Sequence, residues 1–172
     1  TETYEYYQQR RSVTSITCRP HKNQFLSVGE DNKILLWDSK VAEAVLSSKQ
    51  NFCSFSAAWQ SENLFFCGLE DGSVQLMDVR KFGDCVMEHT GLHKDAIFAM
   101  SWGTSSNLLA TGSDDGKFSV LEVINEKLIL KHQSRPGNSF VRAITWDTEK
   151  GDTLYTGNWG GIVSSFTSPK TK

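Results

Sequence analysis

The chain has 172 residues, of which 38% are hydrophobic, and its 18 Lys and Arg against 20 Asp and Glu give a formal net charge of −2. This length supports a sizeable hydrophobic core, and the charge balance excludes a generally basic surface for nucleic acid. No apolar run approaches the ~20 residues that a membrane-spanning helix needs. The cysteines have no Cys-x-x-Cys spacing for zinc or redox chemistry, and we expect Cys18 and Cys67 to pack as small apolar residues on core strands. We therefore expect a globular chain with reduced thiols that binds no cofactor, no nucleic acid and no membrane.

The first predicted element is an extended segment at residues 1–11. Within residues 4–9, Tyr4 and Tyr6 alternate onto one face, which is the pattern of a strand. No other strands precede this segment. We therefore predict an outer strand that either belongs to a preceding sheet or completes the last one.

Four similar segments follow, and each one predicts a small antiparallel sheet. The first segment has an alternating strand at 13–18, an apolar strand at 24–27, a tight acidic turn, and a further apolar strand that ends in Trp37-Asp38. Three markers recur together at a period of roughly 40–45 residues, which is the spacing of four-stranded propeller blades. The markers are the turn position (Asp31, Asp71, Asp115 and Gly160), the Trp-Asp position (Trp37, Met77, Leu121 and Phe166) and a first-strand position (Cys18, Trp59, Trp102 and Trp146).

The residues at the turns also favour hairpins. Gly72 and Gly116 follow acidic residues, and glycine adopts positive φ there at no steric cost. Asn32 tolerates the same backbone region. The run at 41–46 has a helix-like composition but falls where an outer strand belongs, so we predict a strand there.

These markers resemble the WD-repeat β-propeller family across roughly residues 12–168. The resemblance implies an all-β fold of four four-stranded antiparallel blades, the last of them without its outer strand, in one partial propeller domain at 1–172. We expect the chain to be part of a seven-bladed propeller. A closed four-bladed propeller, completed by the N-terminal strand, is the alternative. The predicted blades are residues 12–50, 51–92, 93–138 and 139–172.

Blades of this family are stabilised by a hydrogen-bond network. It joins a His before the first strand, a Ser or Thr on the second strand, the turn Asp and the Trp of Trp-Asp. No blade of this chain carries the whole set, but each bond contributes only about 1 kcal/mol net, so packing between blades can compensate. The matching residues are Ser27, Asp31 and Trp37 in the first blade, Asp71 in the second, His93, Thr111 and Asp115 in the third, and Thr156 in the fourth.

The sequence shows no arrangement that predicts catalysis or metal binding. There is no His-Glu-x-x-His motif for zinc and no serine in a Gly-x-Ser-x-Gly turn. The glycine-rich segment Gly157–Gly161 joins two strands, and no helix follows it to bind phosphate. We therefore predict a binding protein rather than an enzyme.

Three segments are similar to members of the family that act as methylosome subunits. These are residues 25–38, residues 140–146 and the turn at 156–159, of which the last two are the more discriminating. The resemblance implies a non-catalytic subunit, cytoplasmic and nuclear, that binds a type II protein arginine methyltransferase and helps recruit histone tails and Sm proteins. Acidic loops would attract such Arg-rich substrates.

Two other functions stay open. The tripeptide Asp78-Val79-Arg80 resembles the motif by which some WD-repeat proteins dock, through an exposed Arg, onto a cullin–RING ubiquitin ligase. A surface ion pair between Arg80 and Asp78 is the simpler interpretation of the same residues. The third possibility is a generic WD-repeat scaffold.

The residues predicted to contact a partner lie near the end of the chain. Trp159 is a tryptophan in a turn that needs none, so we expect it to be partly exposed, with core packing as the alternative. Asn158 precedes it in the same turn. Arg142 points opposite to its strand neighbours and is expected to reach the central channel or a nearby acid. Residues 133–139 are predicted to form a mobile loop.

Overall fold

The computed structural model describes residues 5–125, 127–147, 149 and 151–168, and these form four antiparallel sheets. The prediction for Tyr4 lies outside these residues. Within the described ranges, helical structure is limited to the short 3-10 turn Val79–Lys81, and no helix is long and apolar enough to cross a membrane.

The strands of each sheet are consecutive in the chain. The first sheet contains β1 (Val13–Cys18), β2 (Gln24–Gly29), β3 (Lys33–Asp38) and β4 (Ala44–Lys49). The second contains β5 (Ser54–Trp59), β6 (Leu64–Leu69), β7 (Val74–Asp78) and β8 (Cys85–His89). The third contains β9 (Ile97–Gly103), β10 (Leu108–Ser113), β11 (Phe118–Ile124) and β12 (Lys127–Ser134). The fourth contains β13 (Val141–Trp146), β14 (Thr153–Asn158) and β15 (Val163–Thr167).

The hairpin between the second and third strands of each sheet contains a residue with positive φ. These residues are Asn32 (59°), Gly72 (81°), Gly116 (79°) and Gly161 (81°). A left-handed residue lets a short loop follow the twist of the flanking strands. The positive φ predicted for Asn32, Gly72 and Gly116 is confirmed.

Apolar side chains between successive sheets form the core. The first strands pack in series, β1 on β5, β5 on β9 and β9 on β13. Phe65 and Phe66 show how one strand serves two layers, because successive side chains of a strand point to opposite faces. Phe65 packs toward the first sheet and Phe66 toward the third. Trp37, Trp59 and Trp146 are buried, and Trp102 is partly buried against the apolar side chains between the second and third sheets.

The predicted fold class is confirmed. The described residues are all-β, with three four-stranded antiparallel sheets and a fourth of three strands. Each sheet places its first strand against its neighbours and its later strands outward, which is the arrangement of propeller blades.

The prediction of an outer strand at 1–11 is wrong for the residues that the structure describes there. Residues 5–12 form no strand. Side-chain contacts hold the segment instead of a backbone ladder. The Tyr6 ring packs edge-on against Phe25 and Trp37 at centroid distances of 5.4 and 5.1 Å, and the Arg10 N–H donates to Asp31 Oδ2 at 3.0 Å.

Three smaller expectations also need correction. In the run at 41–46 the strand begins only at Ala44. Cys18 is exposed, because no sheet covers the first strand of the first blade on its other side within the described part of the chain. In the predicted loop, Gln133 and Ser134 extend β12, since Gln133 pairs with Ser119 across the ladder.

Candidate functional site

The third blade holds the most complete hydrogen-bond network. His93 is buried, with Nδ1 3.1 Å from Asp115 Oδ2 and Nε2 2.9 Å from Thr111 Oγ1. A carboxylate only accepts, so the neutral ring donates through Nδ1–H and accepts from the Thr111 hydroxyl. Ser119 Oγ lies 3.2 Å from the same Nε2. The structure thus brings together His93, Thr111 and Asp115 and adds Ser119.

Burial sets the charge state of this network. It lowers the pKa of His93, while the nearby Asp115 carboxylate opposes this effect only in part. Burial alone would raise the pKa of Asp115, but hydrogen bonds from the Lys117 N–H and the interaction with His93 lower it overall. At neutral pH the pair is therefore a neutral imidazole that donates to an ionised carboxylate.

The free energy of unfolding is expected to fall as the pH is lowered from about 7.5 to 5.5. In the unfolded chain His93 is protonated near its ordinary pKa of about 6.5, whereas burial keeps it neutral in the folded chain. The unfolded state then binds more protons, so the unfolding free energy decreases by at most about 1.4 kcal/mol per pH unit for one proton. Urea unfolding of His93→Gln should show a smaller pH dependence than the parent chain. His89→Gln, on the outer strand β8, serves as the control. If the free energy of unfolding of His93→Gln depended on pH as strongly as that of the parent chain, His93 could not be the buried neutral group that causes this dependence.

The other blades keep only parts of the network. Trp37 Nε1 donates to Ser27 Oγ at 2.8 Å in the first blade. Asp31 and Asp71 instead accept from the backbone N–H groups two residues on, at 3.2 and 3.0 Å, and so stabilise their turns. The Thr156 hydroxyl is buried, with no hydrogen-bond partner among the described residues. Its blade has lost the turn Asp to Gly160, and Asn158 holds that turn instead, by accepting from the Ile162 N–H at 2.9 Å.

The same backbone hydrogen bond occurs in all four blades, between the turn that follows the second strand and the residue that precedes the first strand. The backbone N–H of Glu30, Glu70, Asp114 and Trp159 donates to the carbonyl of Ser12, Cys53, Ala96 and Phe140, respectively, at 2.8–3.1 Å. We call these four donor positions the rim positions. Three of them are acidic, and the fourth is Trp159.

Each first strand also carries a β-bulge beside its rim position. The register between the first and second strands shifts once in each sheet, which leaves Thr14, Phe55, Phe98 and Arg142 as the extra residues. We call these the bulge positions. A bulge redirects a side chain out of the ladder, so these four residues join the surface that the rim positions border.

Arg142 reaches a neighbouring acid, one of the two expectations for it. Its Nη2 donates to Asp114 Oδ2 at 2.9 Å, and its Nε lies 2.8 Å from Asp114 Oδ1. The guanidinium carbon stands 3.6 Å from the centroid of the Phe98 ring, a close cation–π contact. Burial raises the pKa of Asp114, and the Asp95 charge adds to this effect, whereas Arg142 opposes it.

Trp159 and Asn158 differ in what they offer to a partner. Trp159 is 74% exposed, and its ring lies 5.7 Å from the Arg142 guanidinium. The core-packing alternative is therefore wrong for Trp159. Asn158 is occupied within the chain: its amide donates to Pro136 O at 3.0 Å and accepts from the Ile162 N–H at 2.9 Å. Asn158 shapes the turn that displays Trp159.

Arg80 forms the surface ion pair that the simpler interpretation predicts. Its Nη2 lies 2.6 Å from Asp78 Oδ2, and its side chain is 66% exposed. The Arg80 hydrogen bond lowers the pKa of Asp78. Arg80 remains reachable by a partner, but an interaction with it must compete with Asp78.

Sequence reasoning missed Phe55, Phe98 and Asp114 as surface residues. Phe55 and Phe98 occupy equivalent places in the first strands of their blades, and the sequence does not show the bulges at which they stand. Asp114 was interpreted as a turn residue, since the sequence does not show that the next blade brings Arg142 to it. Among the described residues, no group of three or more potential ligands is placed to hold a metal ion.

Two segments of the chain and its fold resemble a known class of repeat protein. Residues 1–38 and 83–120 match the WD40 family, described as WD domain, G-beta repeat. The crystal structure of the WD40 beta propeller domain of Doa1 has the same fold, with a TM-score of 0.83 and 17% sequence identity over 97% of this chain and 54% of that chain. The chain has the architecture of WD-repeat β-propeller blades.

The chain is similar to the Methylosome protein WDR77 of Xenopus laevis. The two sequences are 27% identical over 165 residues, covering 90% of this chain and 47% of the relative. The predicted similarity to this branch of WD-repeat proteins is confirmed. The chain spans about half the length of the curated relative that it matches.

Proposed function

We propose that the chain is a non-catalytic methylosome-type scaffold. It binds a type II protein arginine methyltransferase and presents Arg-rich substrates, such as histone tails and Sm proteins, for symmetric dimethylation. The observation that carries the proposal is the similarity to the methylosome protein across 90% of the chain. The same proposal places the chain in both cytoplasm and nucleus.

The rim geometry supports a binding role. A rigid array of sheets holds three acidic residues and an exposed tryptophan at equivalent positions. Tryptophan is enriched among residues that dominate interface energies, because it buries a large area at little conformational cost. Glu30 and Glu70 at two other rim positions favour a partner with basic segments, whereas Asp114 is already paired with Arg142.

An affinity-capture experiment tests the proposal. The tagged chain, incubated with cell extract, is expected to recover an activity that makes symmetric dimethylarginine on an Sm-derived peptide. Trp159→Ala should reduce the recovered activity at least about tenfold, as expected for an interface hot spot. Tyr155→Ala is the matched control, because Tyr155 is a 38% exposed aromatic residue on the same sheet.

The ligase alternative gives a different result in the same experiment. Recovery of a cullin adaptor, lost in Arg80→Ala, together with no methyltransferase activity would contradict the methylosome proposal. Because Arg80 pairs with Asp78 on the surface, its removal should leave the fold intact.

A further inference from the structure

A cavity of about 300 Å³ lies between the third and fourth blades, at the opposite end of their first strands from the rim positions. Trp146, Gly103 and Gly151 form part of its wall. Three residues of the wall are exposed, so the cavity opens to solvent. The remaining lining residues are the exposed Thr104, Ser105 and Thr145, together with Ser101, Trp102 and Asp147.

The junction between the first and second blades shows what fills the equivalent place there. Arg19 follows the first strand of the first blade, and its guanidinium carbon lies 5.7 Å from the centroid of the Trp59 ring. Its Nε donates to Glu62 O at 2.7 Å, and its Nη2 donates to Asn63 Oδ1 at 3.1 Å. Arg19 therefore reaches across to the second blade and covers the buried tryptophan of that blade.

The junction between the third and fourth blades has the same tryptophan but no arginine. Arg19 and Gly103 both follow the first-strand marker of their blades, and Trp59 and Trp146 are the markers of the blades that come next. A Cβ on Gly103 would lie 3.2 Å from the Trp146 ring, so a side chain at this position would run along that ring. Gly103 has no side chain, and the space beside Trp146 is part of the cavity.

The wall of the cavity also repeats an acceptor position. Gly151 stands at the place of Glu62, since each lies three residues before the second-strand residue that pairs with the marker tryptophan of its blade. Asp147 adds a carboxylate, whose Oδ1 accepts from the Glu149 N–H at 2.9 Å. None of the described residues that line the cavity is Lys, Arg or His.

We propose that this cavity binds an arginine side chain of a partner protein, in the place that Arg19 fills between the first two blades. The guanidinium would lie against the Trp146 indole and donate to the Gly151 carbonyl and the Asp147 carboxylate. Indole is the aromatic ring that attracts cations most strongly. The planar, forked guanidinium can stack and serve two acceptors at once, whereas the ammonium of lysine is a compact and strongly hydrated charge.

The inference goes beyond the proposed function and does not rest on it. The cavity and the rim positions lie at opposite ends of the first strands, so a partner held at Trp159 and a partner held in the cavity use different surfaces. Loss of binding at one of them leaves the other unaffected.

The test follows binding of a Gly-Arg-Gly peptide to the purified, ¹⁵N-labelled chain through the NMR signals of the tryptophan indole N–H groups. The Trp146 signal should shift, and that of Trp37, which donates to Ser27 inside the first blade, should not. The dissociation constant should be at least about fivefold lower than for Gly-Lys-Gly, because only the guanidinium combines stacking with forked donation. Equal dissociation constants, or equal shifts at Trp146 and Trp37, would overturn the proposal.

Two substitutions of Gly103 locate the site. Gly103 is not among the glycines with positive φ, so its backbone admits a side chain. Gly103→Arg and Gly103→Ala both place a Cβ against Ser106 Oγ and the Trp146 ring, but only arginine fills the cavity. Gly103→Arg should weaken binding of Gly-Arg-Gly at least about tenfold and Gly103→Ala by less than about twofold. Binding that persists in Gly103→Arg contradicts the site.

A pair of carboxylates decides the question if both substitutions of Gly103 abolish binding or unfold the chain. Asp147→Asn should weaken binding of Gly-Arg-Gly at least about threefold. Asp38→Asn is the matched control, because its Oδ1 also accepts from the N–H two residues on, at 3.0 Å, in a blade without this cavity. An arginine preference that is the same in Asp147→Asn and Asp38→Asn excludes Asp147 from the site and contradicts the proposal.

Discussion

Replacement of His93 by alanine is expected to lower the free energy of unfolding by about 2–4 kcal/mol. The ring is buried and joins Asp115, Thr111 and Ser119. Without it, a buried carboxylate and two hydroxyls lose a partner that the surrounding sheets cannot replace, and each such loss costs about 1–3 kcal/mol before relaxation. Urea unfolding at pH 7.5 measures the effect.

The matched control is His89→Ala on the outer strand β8. It removes an imidazole of the same size from the edge of the second sheet, and we expect a change within about 0.5 kcal/mol. If both substitutions cost the same, the network would contribute no more to stability than an ordinary surface histidine.

Replacement of Gly72 by alanine is the second change with a large expected effect, because two separate penalties add. Gly72 has φ of +81°, and an L-residue in this region costs about 1–2 kcal/mol. In addition, a Cβ at this position would collide with the backbone carbonyl of His93. Since the His93 N–H donates to the Gly72 carbonyl, the turn cannot move without disturbing the start of the third blade. We expect a total loss of about 2–4 kcal/mol in the free energy of unfolding.

Gly91→Ala isolates the backbone part of this penalty. Gly91 also has positive φ, at +69°, but a Cβ there meets nothing within 4 Å. It should cost only the conformational part, about 1–2 kcal/mol. If Gly72→Ala and Gly91→Ala destabilise the chain equally, the close approach of the second and third blades is not as tight as the structure shows.

The four sheets follow from the sequence because their signals are local and repeated. Alternation and the turn residues depend on neighbours a few positions away, and the first-strand tryptophans recur at the same period, which reinforces both signals. Gly72 illustrates this, because its position after an acidic pair already predicts positive φ. The third-blade network follows in the same way, since His93, Thr111 and Asp115 stand at the family's positions.

Features that depend on contacts between blades could not be read from the sequence. The pairing of Arg142 with Asp114 joins residues 28 positions apart, and neither side chain signals the other. Ser119 lies 26 positions from His93, and the family's pattern does not include it in the network. The extended segment at residues 5–12 alternates like a strand, yet Tyr6 docks on aromatic side chains of the first blade instead.

Reconstitution with a purified type II protein arginine methyltransferase tests the proposed function most directly. The chain alone should transfer no methyl group from S-adenosylmethionine to an Sm-derived arginine peptide. With the enzyme it should comigrate in analytical ultracentrifugation and increase the rate of symmetric dimethylation, and Trp159→Ala should weaken both effects. Methyl transfer by the chain alone, or no complex and no increase in rate with the enzyme, would contradict the role of a non-catalytic methylosome scaffold.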